Sequence, residues 1–187
     1  MICLTGGLAS GKSTAVKHLA DKGAEIIDAD ILGHQAYNPG TAAFDDVIST
    51  FGEEVRGDDG QIDRKVLGGK VFGKPEELRK LTDIVWPEIR RLAELELAAI
   101  ADRNPEAIIV LEAAVLFEAG WEDIGEEIWV LTVDRETAIA RSMARDNAPR
   151  DAVERRLDSQ LSNEVRTSRA DIVVTNKVSA KNKSLSK

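Results

Sequence analysis

The sequence predicts an α/β protein built on a doubly wound, five-stranded parallel sheet. Three observations carry that prediction: short unbroken apolar runs, helical periodicity between them, and a glycine-rich turn where the first run meets the first helix. The runs are Ile2–Thr5, Glu25–Asp28, Ala107–Leu111, Ile128–Val133 and Asp171–Thr175, each bounded by turn or charged residues. Continuous rather than alternating hydrophobicity suits parallel strands covered on both faces. Helical patterns over Lys12–Lys22 and Arg135–Ser142, with a long helical region between the second and third runs, separate them. Strand–helix alternation of this kind builds crossover units.

Two stretches are longer than a crossover needs. About residues 31–106 read as an inserted helical lobe beginning near Pro39-Gly40. Within it Leu78, Leu81, Ile84, Val85, Ile89, Leu92, Leu95 and Ile100 recur at near-helical spacing, while Glu, Arg and Lys fill the other face. A second helical segment, about 141–169, is basic and lies between the fourth and fifth strands as a lid. The sheet core is then about 1–30, 107–140 and 170–176, giving one domain over 1–176. From Lys177 to Lys187 there are four lysines and three serines with almost no apolar content, which predicts a disordered tail.

Composition narrows the class. The chain has 187 residues, 43% hydrophobic and 31% charged, an ordinary globular balance for one domain with insertions. Its formal net charge of −8 weighs against a nucleic-acid partner, which favours a basic surface. No apolar run approaches the roughly 20 residues that span a bilayer. Met1 leads into Ile2-Cys3-Leu4 without a basic segment, so no signal peptide is expected. The lone Cys3 excludes an intrachain disulfide and suits a reducing cytoplasm. A monomer or weak homo-oligomer is expected.

The glycine-rich turn carries the chemistry. Gly6-Gly7-Leu8-Ala9-Ser10-Gly11-Lys12-Ser13 matches the phosphate-binding pattern G-x-x-x-x-G-K-[ST] at every position, between a strand and a helix. Glycines let successive N–H groups turn inward around phosphate oxygens, and the helix N-terminus adds partial positive charge. The fold is therefore the P-loop NTPase type, with Gly7, Leu8, Ala9, Ser10, Gly11, Lys12, Ser13 and Thr14 as nucleotide-binding residues. Lys12 neutralises the β- and γ-phosphates and the Ser13 hydroxyl ligates Mg²⁺, so ATP and Mg²⁺ are the expected substrate and cofactor. The motif alone does not choose between GTPases, ATPases and small-molecule kinases.

Ligands of open α/β sheets lie beyond the carboxyl ends of the strands. Asp28-Ala29-Asp30 closes the second run and Glu112 closes the third. A carboxylate there can orient or deprotonate an attacking hydroxyl. Equally, Asp30 can cap a helix beginning at Ile31. Arg141, Arg145, Arg150, Arg155, Arg156, Arg166 and Arg169 fall within 29 residues, with Arg141 and Arg145 on one helical face. Such arginines can stabilise charge on a transferring phosphoryl group. The plainer reading, a solvated face paired with Asp146, Asp151 and Glu154, suits Arg155, Arg156, Arg166 and Arg169 better. His18 and His34 lie on predicted helices without clustered ligands, and Trp86, Trp121 and Trp129 suit a core. Asn176-Lys177-Val178-Ser179 lacks the acid that completes a guanine-binding motif, which disfavours a GTPase switch.

These residues together resemble the dephospho-coenzyme A kinases, from Cys3 to about Asn176. Thr5-Gly6-Gly7 followed by Ile27-Asp28-Ala29-Asp30 is similar to that family's opening signature. Phe51-Gly52, Asp59-Gly60, Asp63-Arg64, Leu67 and Val71-Phe72 resemble its middle signature, in order and spacing. Arg141, Arg145, Gln160, Ala170-Asp171 and Asn176 resemble its closing part. The resemblance implies ATP-dependent phosphorylation of the ribose 3′-hydroxyl of dephospho-coenzyme A. It implies Asp30 as the base, with Lys12 and Arg141 as further catalytic residues. Arg141, Arg145 and Asn176 would serve the nucleotide; Asp63, Arg64 and Glu112 would join Asp30 at the acceptor, with the Pro87 region. Arg145 and Arg150 would lie on the lid. The alternatives are another small-molecule P-loop kinase, for a nucleoside monophosphate or sugar acid, and a regulatory NTPase. Trp86-Pro87 stands where the bacterial enzymes carry His-Pro, and Glu112–Glu118 replaces a proline- and leucine-rich turn. Both features resemble the kinase domain of the bifunctional coenzyme A synthase. The family pattern also has a helix after the fifth strand, and Ser179–Lys187 does not read as one.

Overall fold

The computed structural model describes residues 1–177. Of the predicted tail, Val178–Lys187, including the stretch after the fifth strand, lies outside the described residues. The chain divides into two compact units: Met1–Ile26 with the chain from Ala107 onward, and Ile27–Glu106.

The first unit carries the sheet. Its strands are β1 (Ile2–Gly6), β3 (Ile109–Glu112), β4 (Glu127–Thr132) and β5 (Ile172–Thr175), and β2 (Glu25–Asp28) runs across the unit boundary. Their order is β2-β3-β1-β4-β5. β1 lies parallel to β3 and β4, and β5 parallel to β4. The register pairs Leu4 with Glu112 and Gly6 with Leu131. Leu4, Val110 and Leu131 are buried at the centre, with Val16, Leu19, Ile26 and Trp129 packed against them. Trp121 is buried as well. The helices here are α1 (Lys12–Asp21), α6 (Arg135–Asp146), α7 (Arg150–Asp158) and α8 (Asn163–Ser168). Asp134 caps α6 through the Thr137 N–H at 2.8 Å, and Ser162 caps α8 through the Val165 N–H at 3.2 Å.

The second unit is helical: α2 (Ala29–Gln35), α3 (Ala42–Phe51), a 3₁₀ turn (Glu53–Val55), α4 (Arg64–Val71) and α5 (Pro75–Arg103). The 29-residue α5 is its spine, with α2, α3 and α4 packed along it. Val85, Ile89, Ala93 and Ile100 form the buried stripe of α5. The predicted apolar face was drawn too wide. Leu95 lies roughly 120° around the helix from Ile89 and is exposed, and Leu78, in the first turn, is exposed too. Pro87 interrupts the backbone bonding of α5 without ending the helix, and it faces solvent, where water can serve the carbonyl its ring leaves undonated.

One expectation fails in the sheet. β5 was expected to be covered on both faces, yet all four of its positions are exposed. It is an edge strand, and among the described residues no helix covers it.

The centre of the sheet sets the stability of the first unit. Leu4→Ala should lower unfolding free energy by about 3 kcal/mol, the usual cost of emptying a fully buried leucine site. Urea denaturation of the two proteins measures it.

Candidate active site

β1 ends where its backbone meets a neighbour. A Cβ on Gly6 would collide with the Leu131 carbonyl oxygen across the β1–β4 pair, so only glycine allows the strand to leave the sheet there. The next residues close a tight turn. The Ser10 N–H donates to the Gly7 carbonyl at 3.2 Å. Ala9 has φ 55° and Gly11 φ 102°, both in the left-handed region. Gly11 then precedes α1, and its carbonyl accepts from Thr14 and Ala15, each at 3.1 Å. No side chain caps this helix, so its first N–H groups point out of the turn as anion donors. Lys12 lies back across the loop, its Nζ donating to the Gly6 carbonyl at 2.9 Å. Ser13 and Thr14 are exposed in the first turn of α1.

Three distant side chains hold this turn. Gln160 Oε1 accepts from the Leu8 N–H at 3.0 Å. Arg141, on α6, donates to the Ala9 carbonyl and to Asn176 Oδ1, both at 3.3 Å. Asn176, just past β5, donates to the Ser10 carbonyl at 3.0 Å and is itself fixed by its N–H to the Thr132 carbonyl at 2.8 Å. The structure thus brings Arg141 and Asn176 onto the loop that sequence assigned them to serve. Glu112 is half-buried at the end of β3, in register with Leu4, beside the strand that feeds the loop.

Arg145 sits elsewhere. It forms a paired contact with Asp146, at 2.7 and 2.9 Å. Arg156 joins the same carboxylate at 2.8 Å, and the two guanidinium groups, Arg145 foremost, hold Asp146 far below the usual carboxylate range. Arg150 pairs with Glu136 and the half-buried Glu154, and Arg155 with Asp151, the others being exposed. That solvated reading fails for Arg166 and holds for the exposed Arg169. Arg166 is only 2% exposed and lies against Gly7. Arg169 stacks over Phe117 at 4.5 Å and pairs with Glu122. The sequence shows only basic residues among acids here. Burial of Arg166 on α8, a helix capped by Ser162, has no local signature in the sequence.

In the helical unit, capping belongs to Asp28 rather than Asp30. α2 begins at Ala29, and Asp28 Oδ1 accepts from the Asp30 and Ile31 N–H groups at 2.8 and 3.2 Å. Asp30 occupies the first turn with an exposed side chain, and its carboxylate makes no hydrogen bond or ion pair among the described residues. Asp63 caps α4 through the Lys65 and Val66 N–H groups at 2.8 and 3.0 Å. Arg64 donates to the His34 carbonyl at 3.2 Å and lies over the Tyr37 ring at 5.8 Å.

Among the described residues no group of three or more His, Cys, Asp or Glu could hold a metal. The exposed Ser13 hydroxyl at the start of α1 is an oxygen donor of the kind that would fit Mg²⁺. Gly11→Ala tests the turn: a Cβ at positive φ would fall on Asn176 Nδ2. It should weaken ATP binding at least about tenfold by displacing Asn176 from the loop, a loss of some 1.4 kcal/mol, measured by calorimetric titration.

Comparison with known proteins agrees with this geometry. The sequence matches the family model described as dephospho-CoA kinase over residues 1–182. It is 44% identical over 176 residues to the dephospho-CoA kinase of Geobacter sulfurreducens, covering 94% of this chain and 89% of that one. With the Moorella thermoacetica enzyme of the same name it shares 39% over 174 residues, 93% and 82% of the two chains. The solved dephospho-CoA kinase from Campylobacter jejuni superposes with a TM-score of 0.70 at 29% identity, over 96% of this chain and 89% of its own. A Thermus thermophilus structure superposes with a TM-score of 0.79 at 34% identity, over 95% and 88%. A P-loop closed by Arg141 and Asn176, carried on a chain that matches one kinase family almost end to end, places this chain in the dephospho-CoA kinase family.

Proposed function

We propose that the chain transfers the γ-phosphoryl group of ATP, bound as its Mg²⁺ complex, to the ribose 3′-hydroxyl of dephospho-coenzyme A, giving coenzyme A and ADP. The observation that carries this reading is the intact phosphate turn, with Lys12 at its centre and Arg141 and Asn176 locked to its carbonyls. The N–H groups of Gly11, Lys12 and Ser13, at the uncapped start of α1, receive the β-phosphate, and Lys12 exchanges the Gly6 carbonyl for β- and γ-oxygens. The exposed Ser13 hydroxyl would hold Mg²⁺, which would supply positive charge against the charge that develops on the leaving phosphate oxygens. Arg141 adds positive charge beside the loop, where a preorganised group costs no rearrangement during reaction. Arg145 is held by Asp146 and would have to leave it to reach nucleotide.

Asp30 takes the proton of the acceptor hydroxyl. Its carboxylate is exposed and relieved of capping by Asp28, which supports that role. Asp63, Arg64 and Glu112 are assigned to the acceptor, with Asp63 and Arg64 also ordering the helical unit through their cap and carbonyl bonds. A cytoplasmic site of action fits these substrates. In its support, no helix among the described residues is long and apolar enough to cross a membrane.

Asp30→Asn should lower kcat by roughly a hundredfold or more, the scale of a lost general base, while the Kd for ATP stays within about twofold. Rapid-quench turnover with dephospho-coenzyme A measures it, and a variant that keeps most of its turnover removes the base assignment. An ADP-release assay across acceptors tests the substrate: dephospho-coenzyme A should turn over, and nucleoside monophosphates and sugar acids should not. EDTA should abolish that turnover and added Mg²⁺ restore it.

A further inference from the structure

Behind the phosphate turn, on the far side of Gly7, lies a buried cation that the reaction as described does not use. Arg166 belongs to α8, and its residue exposure is 2%. One terminal nitrogen donates to the Leu161 carbonyl and lies 3.3 Å from where a Cβ on Gly7 would stand. The other is 3.7 Å from Glu118, an ion pair too long for a good hydrogen bond. Its Nε is buried without a hydrogen-bond partner among the described residues. Gln160, which accepts from the Leu8 N–H, and Asn163, which anchors to the Val133 carbonyl at 2.9 Å, flank the same glycine. Arg166, Gln160 and Ser10, whose buried hydroxyl also lacks a partner, line a cavity of about 410 Å³ behind the loop.

A buried charge with one loose counter-ion is unfavourable for the folded protein alone. Burial pulls the guanidinium pKa down and Glu118 opposes it, yet an arginine keeps its proton at neutral pH. Its field is weakly screened and reaches through the thin Gly7–Leu8 backbone toward whatever anion the loop binds. We propose that Arg166 is a positioning residue of the nucleotide site: through Gly7 and Leu8 it backs the phosphate turn with positive charge, so that the protein favours nucleotides with more phosphates. Glu118 sets how much of that charge is available. This rests on the P-loop binding ATP, and it is independent of which acceptor is phosphorylated.

Calorimetric titration of ATP, ADP and AMP, without acceptor, into wild type, Arg166→Met, Arg166→Lys and Glu118→Gln tests it, with thermal unfolding of each protein. Arg166→Met should weaken ATP roughly tenfold, a loss of some 1.4 kcal/mol, ADP by less, and AMP hardly at all. Arg166→Lys should recover most of the loss, and Glu118→Gln should tighten ATP two- to threefold, roughly 0.4 to 0.65 kcal/mol by the same conversion. A fall in Tm with unchanged ATP affinity, or equal loss for all three nucleotides, overturns the proposal. Should Arg166→Met fail to fold, Glu118→Gln decides alone, and unchanged or weaker ATP binding overturns it. Absence of ATP binding by the wild type would instead remove the proposed function itself.

Discussion

The structure depends on one constraint: a short turn between β1 and α1 must hold a strained backbone shape that leaves the first N–H groups of α1 uncapped. A chain does not hold that shape by itself. Ala9 and Gly11 lie in the left-handed region, which costs free energy at the alanine, and Gly6 must pass within contact of Leu131. The conformation persists because its carbonyls are held from outside. Arg141 takes that of Ala9, Asn176 that of Ser10, and Gln160 receives the Leu8 N–H. These residues lie more than 130 positions away in sequence. The sheet brings them close, since β4 and β5 run parallel beside β1 and deliver their following segments to the same end.

Electrostatics follows the same economy. A chain of net charge −8 that binds a polyanion must place its cations with care. Most arginines of α6 and α7 are already matched: Arg145 and Arg156 with Asp146, Arg150 with Glu136 and Glu154, Arg155 with Asp151. Exposed pairs of this kind contribute little to stability. Lys12, Arg141 and Arg166 are different, since each meets the loop directly.

Much of this was legible in the sequence, for identifiable reasons. Fold class follows from apolar runs, whose signal is local, whereas the order of the strands in the sheet does not. The P-loop follows from residue spacing, because its chemistry is confined to eight consecutive residues. Arg141 and Asn176 were found through family resemblance, since nothing local distinguishes them from neighbouring polar residues. Arg166 escaped because burial of a charge is decided by tertiary packing, and its neighbours Glu164 and Arg169 read as a solvated face. Whether Asp30 caps a helix stays open in the sequence, because Asp28 and Asp30 satisfy the same local rule and only the backbone shows that α2 begins at Ala29 with Asp28 as its cap. Exposure of β5 could not be read at all, since an apolar run says nothing of what lies over it.

The central claim is that the turn after β1 receives the phosphates and that Lys12 moves to meet them. A crystal structure with a non-hydrolysable ATP analogue and Mg²⁺ tests this most directly. The expected result is the β-phosphate on the N–H groups of Gly11, Lys12 and Ser13, the cation on the Ser13 hydroxyl, and Lys12 Nζ gone from the Gly6 carbonyl to phosphate oxygens. A triphosphate bound elsewhere, with Lys12 still on Gly6, would contradict it.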